Sequence, residues 1–69
     1  GSMTSQQTVL DDLRAHGPSV IADISDRTGG EPKNVRRAMG HLERWGDVRR
    51  AGIVITASGQ KAVVWEAVA

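Results

Sequence analysis

The chain contains no cysteine and only two histidines, His16 and His41, in 69 residues. Disulfide staples and thiol chemistry are therefore excluded, and no residues stand at the spacing of a structural zinc site. The fold must be held by packing alone. Long apolar runs are missing too: IVI at 53–55 and AVV at 62–64 are far too short to cross a bilayer, and no charged-then-apolar signal segment opens the chain. A cytoplasmic protein without a membrane partner is expected. There is also no nucleophile elbow and no phosphate loop. The acidic residues Asp11, Asp12, Asp23 and Asp26 fall where first-turn or solvent-facing charges belong on amphipathic helices, and so short a chain leaves little volume for a substrate pocket. Neither an enzymatic activity nor a cofactor is expected.

What is present is 39% apolar and 25% charged residues, an ordinary globular composition. Gly1 and Ser2 read as a cleavage scar ahead of an initiating Met3, which leaves 4–69 as a single domain with a marginal core. The net charge of +1 conceals an uneven distribution. Residues 1–31 hold two basic residues against five acidic ones, while residues 32–61 hold seven basic against two acidic. Six of the nine basic residues lie within EPKNVRRAMGHLERWGDVRR, residues 31–50. Phosphate binding needs concentrated rather than total charge, so this stripe is the electrostatic footprint of a nucleic-acid surface. A merely solvated helix face is the plain alternative.

Punctuation sorts the chain into three helices and a hairpin. Val9, Leu10 and Leu13 recur at helical spacing, Thr4 or Ser5 can cap the start, and His16-Gly17-Pro18 stops the helix near Ala15. Ser19 reads as the cap of a second helix, VIADISDRTG, with Val20, Ile21, Ile24 and Thr28 on one face and Gly29-Gly30 breaking it. Pro32 suits the first position of a third helix that runs to Gly46-Asp47, with Glu31 ahead of it. Rotating that helix by about 100° per residue gathers Val35, Ala38, Met39 and Leu42 on one side. Lys33, Arg37, Gly40 and Arg44 fall opposite, with Asn34, Arg36 and His41 on the shoulders. Gly40 costs about 1 kcal/mol relative to alanine, and a bare spot there would let a phosphate backbone approach closely. VRRAGIVI and AVVWEAV then read as strands joined by TASGQK, flanked by Arg49, Arg50 and Lys61. Val63, Trp65 and Ala67 share one face, which predicts a buried Trp65. Two strands are not stable alone, so a short third strand around Ser19 is expected to complete the sheet.

The run HGPSVIADISDRTGGEPKNVRRAMGHLERWGDVRR resembles the winged helix-turn-helix pattern of bacterial and archaeal transcription regulators. The matching residues are Gly17, Pro18, Ile24, Gly29, Val35, Ala38, Met39, Leu42, Glu43, Gly46 and Val48, and the resemblance extends from about Val9 to Val68. It implies an α+β fold, three helices followed by a two- or three-stranded wing, in a small transcription regulator of prokaryotic or phage origin, associated with the nucleoid. It implies a third helix, about 32–46, in the major groove of double-stranded DNA, with the 48–67 hairpin on an adjacent groove or the backbone. Position by position, Lys33, Asn34, Arg36, Arg37, His41 and Arg44 would face DNA from the helix, and Arg49, Gln60 and Lys61 from the wing, with Gly40 and Arg50 in the same surface. Two departures stand out. Gly30 occupies a place that is apolar in such sequences, which predicts a looser turn or a displaced helix entry, and the wing tip carries one basic residue. The Trp-containing last strand is also similar to that of the Z-form nucleic-acid readers built on this fold. Those readers carry an Asn and a Tyr one turn apart on the third helix, where Arg36 and Gly40 stand here.

Arginine can donate two hydrogen bonds to guanine or fork onto a phosphate, and Asn34 can pair with adenine. Lys33, near the helix start, suits phosphate. Each has a bland counterpart: Arg36 could pair with the aspartates of the second helix, and Arg44 or Arg50 could be a solvated rim charge. Trp45 is open between padding the gap to the wing and facing a partner. Such a regulator could dimerise through its first helix or wing, bind as a monomer, bind cooperatively in arrays or act with a partner protein; self-association on DNA is favoured, because one small interface rarely discriminates among genomic sites. The rival to DNA readout is a winged-helix module that grips another protein or RNA through Trp45, the IVI segment or the acidic first helix.

Overall fold

The computed structural model describes residues 6–68. Its elements are α1 (Gln6–His16), β1 (Ser19–Val20), α2 (Ile21–Thr28), α3 (Pro32–Trp45), β2 (Val48–Ile55) and β3 (Lys61–Ala67). The expected caps Thr4 and Ser5, and the proposed scar, lie outside the described residues. Helix α1 buries Val9, Leu10 and Leu13, the triplet its spacing selects. It ends where Gly17 donates its N–H to the Leu13 carbonyl at 2.8 Å.

Ser19 does not cap α2. It pairs with Trp65 in an antiparallel register, and Val20 pairs with Val64, so the segment is a strand rather than the first turn of a helix. The buried Ser19 hydroxyl donates to the Gly17 carbonyl at 3.0 Å and accepts from Arg27 Nη2 at 2.7 Å. Helix α2 then starts at Ile21, with Val20 in the capping position and no side-chain hydrogen bond to its first turn. The third strand expected near Ser19 is therefore present, and it displaces the cap. The sheet order is β1-β3-β2, with β3 central.

The turn between α2 and α3 is pinned rather than loose. Gly29 closes α2 in the left-handed region at φ 76° and donates to the Ser25 carbonyl, a conformation that costs other residues a clash with Cβ. The Ser25 hydroxyl in turn holds the Gly30 carbonyl. Pro32 takes the first turn of α3, Glu31 makes no side-chain cap bond, and Gly46 closes the helix in the left-handed region. The missing proline N–H costs nothing in a first turn, where it would have no intrahelical partner.

Helices α1, α2 and α3 pack on one face of the sheet. Ile24, Val35, Ala38, Met39 and Leu42 meet the α1 triplet, and Val48 and Trp65 close the core from the strands. Ile21, Val63 and Ala67 pack at its margin. The register of β2 on β3 runs from Val48 opposite Ala67 to Ile55 opposite Lys61, with a bulge between Arg50 and Gly52. No helix among the described residues is long and apolar enough to cross a membrane.

Candidate nucleic-acid interface

The amphipathic plan of α3 holds along its length. Val35, Ala38, Met39 and Leu42 are buried, while Lys33, Arg36, Arg37, Gly40, His41 and Arg44 are exposed and Asn34 is half-buried. Among the described residues Lys33, Arg36, Arg37, Arg44 and Lys61 form no ion pair. The aspartates of α2 do not engage Arg36. Their neighbour Arg27 turns the other way, to Asp12 on α1, at 2.7 Å.

That pair corrects the expectation that Asp12 is a solvent-facing charge. Its side chain is only 7% exposed, and both its oxygens accept from Arg27. The hydrogen bond to Asp12 raises the Arg27 pKa above its ordinary value. Arg27 thus ties α1, α2 and the Ser19 hydroxyl of β1 together.

The helix has two flanks with different company. Glu43 lies on one and accepts from Arg50 Nε at 3.1 Å, and Arg36 lies about two turns earlier on the same side by helical rotation. Between this flank and the hairpin runs a cleft of about 550 Å³, lined by Arg36, Arg50, Thr56, Gln60, Lys61 and Trp65 among others. The other flank carries His41 and Trp45, whose rings are tilted against each other at a centroid distance of 6.1 Å. Trp45 is 64% exposed, so it pads no gap between helix and hairpin.

Strand register decides the fate of the two hairpin arginines. Arg50 pairs with Trp65 and shares its face. Its guanidinium sits 5.5 Å from the centre of the Trp65 ring, a cation–π contact at the floor of the cleft. Arg49 pairs with Glu66 on the opposite face of the sheet, where the two side chains form an ion pair. The fold therefore brings Arg36, Arg50, Gln60 and Lys61 into one cleft and leaves Arg49 outside it. Lys33, Arg37, Gly40 and Arg44 form the exposed ridge beside that cleft, with Asn34 and His41 on its far slope.

Two participants are not apparent from sequence spacing alone. Pro32 and Thr56 line the cleft, brought there by the docking of the hairpin on the start of α3. Trp65 was readable as core, and it is buried. Its indole N–H finds no acceptor among the described residues, a rarity for a buried donor. The periodicity that puts Lys61 and Trp65 on one face of β3 is the one signal that could have drawn the cleft in advance.

No family model and no curated protein matches the chain. Solved structures do. The apo-Zalpha domain of zebrafish PKZ superimposes with a TM-score of 0.73 at 26% identity, covering 93% of this chain and 91% of that one. The Zalpha domain of Carassius auratus PKZ, solved in complex with Z-DNA, gives a TM-score of 0.72 at 22% identity, over 91% and 90% of the two chains. The architecture is a winged helix. In its terms α2 and α3 are the helix-turn-helix, and β2 and β3 with their 56–60 connection are the wing. The wing tip is set by Thr56 donating to the Gln60 carbonyl at 2.8 Å and Gly59 donating to the Thr56 carbonyl at 2.9 Å.

Proposed function

We propose that this protein binds duplex DNA, laying one phosphate backbone along the cleft between α3 and the wing. The observation that carries this reading is the convergence of Arg36, Arg50 and Lys61, from a helix and both wing strands, on that one open cleft. Three cations converging on one groove, two of them without an ion pair among the described residues, match a phosphate chain better than an apolar protein surface. The exposed ridge of Lys33, Arg37 and Arg44 extends the same field, and Gly40 leaves a gap in the side-chain layer where a strand can approach.

In its finer form the reading is a small transcription regulator. Helix α3 would then lie in a major groove with Arg37 or Asn34 on base edges. Two copies bound together would raise discrimination among sites. A second reading has its own support. Both winged-helix neighbours are Zalpha domains, one of them solved with Z-DNA, and Trp65 lies at the cleft floor. On that reading the duplex is left-handed, and Arg36 makes an ionic contact where the resemblance places an asparagine in such readers.

One titration tests all of this. Labelled random-sequence duplex, a brominated alternating CG duplex held left-handed, single-stranded DNA and duplex RNA are each titrated at two salt concentrations. Tight, steeply salt-dependent binding to the random duplex supports a right-handed phosphate surface and opens the regulator reading to a selection for a preferred site. Preference for the left-handed duplex, seen also in its circular dichroism, supports the second. No binding to either duplex at low salt sinks DNA binding and brings Trp45 and the wing forward as a protein-binding surface.

A further inference from the structure

Among the described residues the outer edge of β2 is unpaired. Strand β3 lies between β1 and β2, so β2 forms its ladder on one side only. Every residue of β2 after Val48 is exposed, and Ile53, Val54 and Ile55 are 65%, 43% and 64% exposed. Successive strand side chains point to opposite faces. The run therefore presents β-branched apolar groups on both faces, where a solvated edge would alternate with polar ones. Edge strands are commonly protected by lysine, proline or an inward-pointing charge, and residues 51–55 contain none of these. The bulge sits at the base of the strand, and the register is regular from Gly52 to Ile55.

We propose that β2 pairs edge to edge with β2 of a second copy, antiparallel, about a two-fold axis at Ile53, joining the two three-stranded sheets into one. The strand is its own complement in that register. Gly52 of one copy lies opposite Val54 of the other, and Ala51 opposite Ile55, so each large side chain meets a small one, while Ile53 meets its counterpart. No cation faces a cation. Arg49 and Arg50 lie beyond the bulge and Thr56 and Ala57 lie past the end of β2, so no cation enters the regular part of the pairing, and both arginines are already balanced within their own chain by Glu66 and Glu43. The outer N–H and C=O groups of the edge gain partners, and the contact is isologous, as closed dimers require. The pairing does not rest on DNA binding. A contact of one strand is small for a protein interface, so the dimer dissociates on dilution.

The test is sedimentation equilibrium of the DNA-free protein over a wide concentration range, expected to show a reversible monomer–dimer equilibrium. Ile53→Lys and Ile53→Glu each set like charges against each other at the two-fold axis, and each should weaken association by about tenfold or more. Their circular dichroism, and their melting at concentrations where the wild type is monomeric, should stay unchanged, because Ile53 is outside the core. Mixing the two variants should restore the dimer, since lysine then faces glutamate. A wild-type protein that stays monomeric throughout overturns the proposal. So does association that survives in both variants, or a mixture that remains monomeric.

Discussion

At Trp65 packing and hydrogen bonding part company. The ring is buried by the core and covered by Arg50, while its N–H has no acceptor among the described residues. Trp65→Ala should cost about 3–5 kcal/mol, as for other large-to-small core changes. Trp65→Phe gives up no hydrogen bond and should cost distinctly less; urea unfolding of both variants measures the gap. Similar losses from the two would mean that the N–H is paired in solution. Asp12 belongs to the same scale. Asp12→Ala strands the Arg27 guanidinium and should lower stability by about 1–2 kcal/mol, yet leave the DNA affinity of the folded protein unchanged. Arg37→Ala should do the reverse, weakening DNA binding by about 1–3 kcal/mol if the side chain reads a base while the melting curve stays put. Equal effects of the two substitutions on binding would undo the assignment of faces.

Helix α3 is the element on which folding and binding make opposite demands. A Cβ added at Gly40 would meet nothing within 4 Å, and its backbone is helical, so Gly40→Ala should stabilise the domain by about 1 kcal/mol. If the bare patch admits a DNA strand, the same substitution should weaken binding, and a melt beside a titration shows whether the two move apart. The element's boundaries and its buried face were legible in the sequence because their causes are local: Pro32 at the start, Gly46 at the end, and four apolar residues at helical spacing between them. The wing was legible for the same reason, through its β-branched runs. Ser19 was half legible. A serine before an apolar run carries the local signal of a cap, but pairing with β3 outranks it, and a strand of two residues has no periodicity to announce itself. The cleft was beyond local reading. Nothing near Arg36 in the sequence says that it meets Lys61; strand alternation sets Arg49 and Arg50 on opposite faces, but only the register on β3 says that Arg50 is the one beside Trp65. Asp12 and Arg27 found each other across two helices in the same way.

Taken whole, the molecule is polarised, with its acidic residues concentrated in the first half and its basic ones along α3 and the wing. The logarithm of the DNA affinity should therefore fall linearly with the logarithm of salt concentration, by about 0.9 per phosphate contact on right-handed DNA. Arg36→Ala and Lys61→Ala should each reduce that slope by about 1, whereas Arg49→Ala, on the other face of the sheet, should leave it alone. Slopes that change equally for all three would mean a diffuse cationic cloud instead of a cleft. The central place of β3 also governs how the chain reaches this state. Residues 6–46 can form helical turns by themselves, but Ser19 has no strand partner until Trp65 arrives, and the apolar margin of Ile21 waits for Val63. That distant pairing should slow folding, because a long loop must close before any contact rewards it. A nascent chain whose last strand is still inside the ribosome holds its helices without a finished core.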